Sequence, residues 1–354
     1  MSARFPAGPP LGGLAIILIL AACGAASSTS PAAPTAKDTP ASGSAATSAP
    51  VTTPTSGPSA PSALPSPSRA PSVTATVDVA YEAPDARGLT KKLDVYVPVG
   101  AGSSPVVVML HGGEVWKGFI AEWARAVSAD GFVVFGPDWL ENAPGLTPRE
   151  KYIADSRHAT CAIAFARERA AEYGGDPATL VVFGHSGGAN VGGTAAFNPP
   201  PVSDGCLASD APATPTGLVT FEGDWLSMDP RHDKEIAADP AVLDAATPWA
   251  HLAAVPDLPV VVLVSEGEGG VVEVPALDPP VDWRTARDPL ALRERFLAAG
   301  IRADVAQQQA ILAAALEAQG HPVTLRELPD SGHSTIGEAG LEVLREAIRE
   351  AAGE

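Results

Sequence analysis

The chain predicts an α/β fold: a mostly parallel, eight-stranded twisted sheet with helices on both faces. Three observations carry that expectation. Eight apolar runs bounded by turn residues alternate, from the third onward, with helix-periodic stretches, as βαβ units do. The first two runs alternate apolar and polar residues like an antiparallel edge pair, whereas the middle ones are continuous and Val-rich, like strands covered on both faces. Finally, Gly184-His185-Ser186-Gly187-Gly188 follows the run Leu180-Val181-Val182-Phe183 and leads into a helical stretch, so that a serine sits on a tight strand-to-helix turn.

The N-terminal part stands outside this pattern. Residues 1–22 have the layout of a bacterial lipoprotein signal peptide, with Arg4 in a short basic start and an apolar stretch from Leu14 to Leu20 that is too short for a permanent membrane span. Leu20-Ala21-Ala22-Cys23 resembles a lipobox, in which the Cys23 sulfur takes the lipid. After Cys23, residues up to 72 are Ser, Thr, Pro, Ala and Gly with almost no charge and no aromatic residue, a composition that cannot bury a core and is expected to form a disordered tether. Residues 73–354 are the size of one α/β domain.

Within the domain the strands are expected at Val73 to Tyr81, Leu93 to Val97, Val106 to Leu110, Phe132 to Phe135, Leu180 to Phe183, Leu218 to Phe221, Val260 to Val264 and Val323 to Glu327. Helical periodicity marks Ile120 to Ala129, Ala154 to Tyr173, Ala189 to Ala196, Val305 to Gln319 and Gly340 to Ala352. Residues 275–302 fit no strand or crossover and are either a lid or a surface insertion.

The chain of 354 residues carries a formal charge of −18. Removal of residues 1–22 takes away only Arg4 and leaves 22 basic and 41 acidic side chains, a charge of −19. Such a chain repels nucleic acid and anionic membrane surfaces. Beyond Cys23 two cysteines remain, Cys161 and Cys206, and an exported domain in an oxidising compartment is expected to pair them as a disulfide. Cys161 lies on the helix before the Leu180 strand and Cys206 just after the helix that follows Ser186.

A serine hydroxyl is a weak nucleophile and needs a positioned base, which in turn needs a carboxylate to hold its tautomer and stabilise the imidazolium. Of seven histidines, His333 in Leu328-Pro329-Asp330-Ser331-Gly332-His333 lies just beyond the last strand. His321 precedes that strand and belongs to its other end, and His185 is given a structural role. The third strand ends in Met109-Leu110-His111-Gly112-Gly113, 73 residues before Ser186.

Together these segments resemble the carboxylesterase and lipase branch of the α/β-hydrolase superfamily. The likeness rests on Tyr173-Gly174-Gly175-Asp176-Pro177 leading into Gly184-His185-Ser186-Gly187-Gly188, on His111-Gly112-Gly113, and on Pro329-Asp330-Ser331-Gly332-His333. It implies the order nucleophile, acid, histidine, with Ser186 as nucleophile and His333 as base. The acid belongs beyond the seventh strand, where Ser265-Glu266-Gly267-Glu268 offers Glu268 first and Glu266 second, with Asp224, Asp278 and Asp282 behind; either glutamate could equally be a solvated loop charge. The resemblance also implies an oxyanion hole from the backbone N–H groups of Gly113 and Gly187, with Gly112 next. Two departures stand out: Glu replaces the usual Asp, and Glu114 occupies the place of a third glycine, where its charge would disfavour anionic esters.

The expected activity is hydrolysis of a small carboxylic ester through an acyl-enzyme, by a protein held outside the cytoplasm on a lipid anchor. A peptidase or acyltransferase could use the same triad, and a catalytically silent binding or scaffold lipoprotein could use the same fold. No Cys/His cluster at metal spacing and no phosphate-binding glycine pattern appears, so neither a metal nor an organic cofactor is implied. Trp116, Trp139, Trp225 and Trp283 either line an apolar pocket or pack in the core or a lid. If Cys23 is the anchor, Cys23→Ser releases the protein from the membrane fraction in cell fractionation; retention of the variant rejects the lipobox.

Overall fold

The structure is a computed structural model that describes residues 72–209 and 214–354. The signal segment, Cys23 and the tether up to residue 71 lie outside the described residues. Among the described residues no helix is long and apolar enough to cross a membrane.

All eight expected strands form. They are β1 (Val73–Ala80), β2 (Lys92–Pro98), β3 (Ser104–Leu110), β4 (Val133–Pro137), β5 (Gly175–His185), β6 (Gly217–Phe221), β7 (Val260–Ser265) and β8 (Val323–Leu328). They build one sheet in the order β1-β2-β4-β3-β5-β6-β7-β8. The β1–β2 and β2–β4 pairs are antiparallel and the rest are parallel. The chain winds outward from β3 to β4 and then crosses back to β5. The carboxyl ends of β3 and β5 therefore flank the point where winding reverses, which is where open α/β sheets place their crevice.

Two apolar layers cover the sheet, and the alternation of side chains along each strand feeds both. In β3, Val106, Val108 and Leu110 enter one layer, and Val107 and Met109 the other. Helices α1 (Ala121–Ala129) and, near the C-terminus, Glu338–Ala352 close the second layer through Trp123, Val127, Leu344 and Ile348. The first layer is closed by α2 (Pro148–Arg169) and α3 (Gly187–Phe197), and by Val305–Ala318 further along.

Helix α2 begins six residues before the periodic stretch that predicts it, because Thr147 and Glu150 form a reciprocal capping box with Pro148 in the first turn. Its polar opening turns carry no apolar period to read. Three helices are absent from the sequence-based expectation: α4 (Asp233–Ala238), α5 (Val242–Ala246) and α6 (Pro289–Ala298). The first two are too short to show a period. The third lies in the 275–302 stretch; Asp288 caps it by accepting from the Ala291 N–H at 2.9 Å, and it buries Leu292 and Phe296 in the first layer. That part of the stretch is therefore packed core rather than a free flap. The two long helices that follow, Val305–Ala318 and Glu338–Ala352, are α7 and α8.

Cys161, buried on α2, is joined to Cys206 with Cα atoms 5.7 Å apart. The bond fastens the segment after α3 to the helix layer, and the same segment pairs with the end of the edge strand through Ala83 N–H to Gly205 O (2.7 Å) and Leu207 N–H to Tyr81 O (2.9 Å). The bridge closes a span of 45 residues, for which loss of the cross-link costs about 2–4 kcal/mol. Replacing both cysteines by serine is expected to lower the free energy of unfolding, measured by denaturant titration, by that amount, and thiol titration of the native protein without reductant should find neither Cys161 nor Cys206 free.

Candidate active site

Ser186 sits between β5 and α3 at φ +52°, ψ −121°, a conformation sparsely populated by residues with a side chain. The turn holds because its neighbours give way. A Cβ on Gly184 would lie 2.3 Å from the Gly188 carbonyl oxygen, and one on Gly188 would lie 2.4 Å from the carbonyl oxygens of Leu110 and His111. The Ser186 N–H donates to Phe221 O at 2.7 Å, which fixes the turn to the end of β6.

His333 reaches the serine from the far side of the sheet. After β8 the chain makes a two-stranded hairpin, β9 (Ser331–Gly332) with β10 (Thr335–Ile336), and His333 stands in its tip. His333 Nε2 lies 3.1 Å from Ser186 Oγ. The hairpin is pinned by Glu266, whose carboxylate accepts the Asp330 N–H at 2.9 Å, and by His185, whose ring nitrogen Nε2 donates to the His333 carbonyl oxygen at 2.6 Å. His185 is itself buried, stacked on Phe119 with ring centroids 5.6 Å apart and met edge-on by Trp123. Burial first, and the neighbouring His333 second, bring its pKa down to about 4, so it is neutral and keeps one proton for the His333 carbonyl.

The acid differs from expectation. His333 Nδ1 bonds to Glu222 Oε2 at 2.6 Å, and Glu268 makes no hydrogen bond to His333. Glu222 follows β6 directly, at φ +54°, with its side chain fully buried. Its other oxygen, Oε1, accepts from Ser265 N–H at 2.7 Å and Ser265 Oγ–H at 2.6 Å. Ser265 ends β7, the strand whose turn was expected to supply the acid. There β7 supplies hydrogen-bond donors, and the neighbouring β6 supplies the carboxylate. Glu268 acts on His333 only through its charge, in the short helical turn Glu266–Glu268. The remaining candidates are elsewhere: Asp224 accepts from Met228 N–H at 2.8 Å, Asp282 from Arg284 N–H at 3.2 Å, and Asp278 precedes the cis Pro279. His321 bonds to the carbonyls of Leu252 and Leu258, at the other end of β8 as expected. The sequence signal for Glu222 was an acid standing immediately after the apolar run Leu218-Val219-Thr220-Phe221.

The glycine turns after β3 and β5 meet across the switch point. A Cβ on Gly187 would come within 3.1 Å of the Gly113 nitrogen, and one on Gly112 within 3.4 Å of the Ser186 Cβ. Ser186 does not cap α3 with its side chain, and among the first N–H groups of that helix Ala189 donates to the Ser186 carbonyl oxygen at 2.9 Å, which leaves those of Gly187 and Gly188 beside the serine. Glu114 follows at φ +62° and is near enough to Arg231 for their charges to interact; Arg231 in turn lowers the pKa of His333. The surroundings of Glu114 therefore carry charges of both signs. Trp139 and Trp225 are buried core residues, Trp283 packs partly buried against the core, and Trp116 is exposed.

A family model described as the Alpha/beta hydrolase family matches residues 107–347. The chain belongs to the alpha/beta hydrolase family. In fold this hydrolase is similar to an esterase of the Planctomycetes species Thermogutta terrifontis. The propionate-bound esterase 2 is 15% identical with a TM-score of 0.52, covering 80% of this chain and 94% of that one. The same esterase phosphonylated by sarin is 16% identical with a TM-score of 0.54, covering 81% and 98%. No curated protein matches the hydrolase in sequence. At these identities the likeness is one of fold.

The hydrogen bond that His333 donates to Glu222 outweighs the desolvation of His333 and holds its pKa above the ordinary imidazole value. A base must be neutral to accept a proton, so a raised pKa moves the acid limb of a pH–rate profile upward. In Glu222→Gln that limb should fall to lower pH, and kcat should drop about 10³–10⁴-fold. Glu268→Gln should keep kcat within about 10-fold and shift the limb only slightly; the reverse outcome returns the acid to Glu268.

Proposed function

We propose that this protein is a serine hydrolase of carboxylic esters that works through an acyl-enzyme. The observation that carries the reading is the unbroken relay from Ser186 Oγ to His333 Nε2 at 3.1 Å and from His333 Nδ1 to Glu222 at 2.6 Å. Ser186 Oγ attacks the ester carbonyl while His333 Nε2 takes its proton. Glu222 keeps the Nδ1 proton in place and stabilises the imidazolium. The negative charge that develops on the carbonyl oxygen is received by the N–H groups of Gly113 and Gly187, residues that the two glycine turns bring close together. Collapse of the tetrahedral adduct breaks the bond to the alcohol, which leaves with the proton from His333. Water then adds to the acyl-Ser186 by the same route, giving the acid and the free serine.

The fold neighbours support this assignment. The Thermogutta terrifontis esterase has been seen with propionate and with butyrate bound, and phosphorylated by paraoxon. A short-chain carboxylic ester is therefore the substrate class proposed here. The enzyme is also proposed to be exported and held on the outer side of the cell membrane by a lipid on Cys23.

A fluorophosphonate probe should label the wild type and leave Ser186→Ala unlabelled. Hydrolysis of p-nitrophenyl acetate should fall about 10⁴–10⁶-fold in that variant. Equal labelling of both proteins would move the nucleophile elsewhere, and an unlabelled, inactive wild type would favour a silent binding protein of the same fold.

A further inference from the structure

A cavity of about 380 Å³ opens beside the oxyanion turn, within the roughly 300–1,000 Å³ range of small-molecule sites. Its walls come from the loop between β1 and β2, the loop after β3, the loop after β4 and His158 in the middle of α2. The Lys92 carbonyl accepts the Asp138 N–H at 2.9 Å, so the β1–β2 loop returns to the same carboxyl edge of the sheet that bears Ser186.

One side chain in this cavity lacks a partner. His111 is 1% exposed, and its Nδ1 lies 2.8 Å from the Gly112 carbonyl oxygen, so in the neutral ring Nδ1 carries the proton. Its Nε2 is then an acceptor, buried and without a hydrogen bond among the described residues. The carboxylate oxygen Asp138 Oδ1 stands 3.6 Å away, another acceptor and too far for a direct bond. Two acceptors facing one gap call for a ligand that brings donors.

The charges of the cavity narrow the ligand class. Most charged side chains of the lining pair among themselves, Arg87 with Asp85 at 2.7 Å and Glu141 at 3.1 Å and Glu82 with His158 at 2.7 Å, which leaves Lys91 and Asp138 as one charge of each sign. Groups of both kinds are satisfied together by hydroxyls, each of which donates and accepts. At the rim stands the indole of Trp116, 65% exposed, lying over Gly118, where a Cβ would strike its Nε1 at 2.4 Å. An exposed indole bordering a set of mixed donors and acceptors suits the apolar face of a pyranose ring.

We propose that this cavity is a sugar subsite that takes the alcohol half of the ester, so that the substrate is an O-acylated carbohydrate. Vicinal hydroxyls donate to His111 Nε2 and Asp138, and the ring stacks on Trp116. The link to the reaction is direct in the chain: His111 begins the His111-Gly112-Gly113 turn, and its carbonyl oxygen accepts the Trp139 Nε1–H at 3.1 Å. A sugar seated there braces the turn that receives the oxyanion. The proposal rests on the ester-hydrolase reading above for its catalytic half, and its binding half stands separately.

Two arms test it. Ser186→Ala, which keeps the cavity and cannot turn over, is titrated with methyl β-D-glucopyranoside and followed by saturation-transfer NMR. Transfer to the ring protons is expected, with affinity at least about 10-fold weaker in Ser186→Ala/Trp116→Ala. Absence of transfer at millimolar concentrations, or equal transfer in both proteins, overturns the sugar site whether or not the protein is an esterase. In the second arm, kcat/KM of the wild type is compared for 6-O-acetylglucose and ethyl acetate. A preference of about 10-fold or more for the sugar ester is expected, falling toward unity in Trp116→Ala. Equal kcat/KM for the two esters in the wild type overturns the substrate assignment. Failure to hydrolyse either ester overturns the parent reading, and the NMR arm alone then decides the cavity.

Discussion

The buried carboxylate of Glu222 is the constraint on which the site depends. A fully buried carboxylate needs hydrogen-bond donors, and Glu222 obtains them from three places: the backbone and hydroxyl of Ser265 at the end of β7, and the imidazole of His333 in the hairpin after β8. Its own backbone continues β6, to whose last residue the Ser186 turn is bonded. This side chain thus ties the end of β6 to the end of β7 and to the hairpin after β8, the Phe221 carbonyl beside it adds the turn after β5, and the distance from His333 to Ser186 follows from these ties. Removing any donor would leave a buried charge unsatisfied, which costs more than the bond itself contributes.

Backbone strain gathers at the same edge. Ser186, Glu222, Glu114 and Asp330 all have φ between +52° and +62°, at the serine turn, at the carboxylate that meets His333, in the loop after β3 and in the loop that carries the histidine. Each such residue costs on the order of 1–3 kcal/mol and persists only where its surroundings hold it. The holders here are specific: Phe221 O for Ser186, Leu263 O for Glu222, and the Glu266 carboxylate for Asp330. Glu266, offered by the sequence as a second choice of acid, thus helps to set the hairpin from which the histidine hangs.

Much of the fold was legible because its signals are local. Val-rich runs such as Val260-Val261-Val262-Leu263-Val264 can be read without a partner, since a strand covered on both faces is apolar throughout. The short helices α4 and α5 were not legible, because five or six residues do not complete enough turns to show a period. Helix α6 did carry a cap signal, Asp288 followed by Pro289, but it stood in a proline-rich stretch whose other features argued for loop.

By itself the sequence determined the order of strands and helices, the serine on its turn, the histidine beyond the last strand and the pairing of the two cysteines. Each of these depends on residues adjacent in the chain or on the ends of elements already recognised. Which carboxylate meets His333 was decided only in three dimensions. Glu222 and Glu268 both follow strands that end at the same edge, and the choice between them turns on sheet order, on the reach of a glutamate from β6 across the end of β7, and on the donors that Ser265 holds out to it. The same is true of the cavity beside the oxyanion turn, because its walls come from segments that only the folding of β1 and β2 onto β4 brings together.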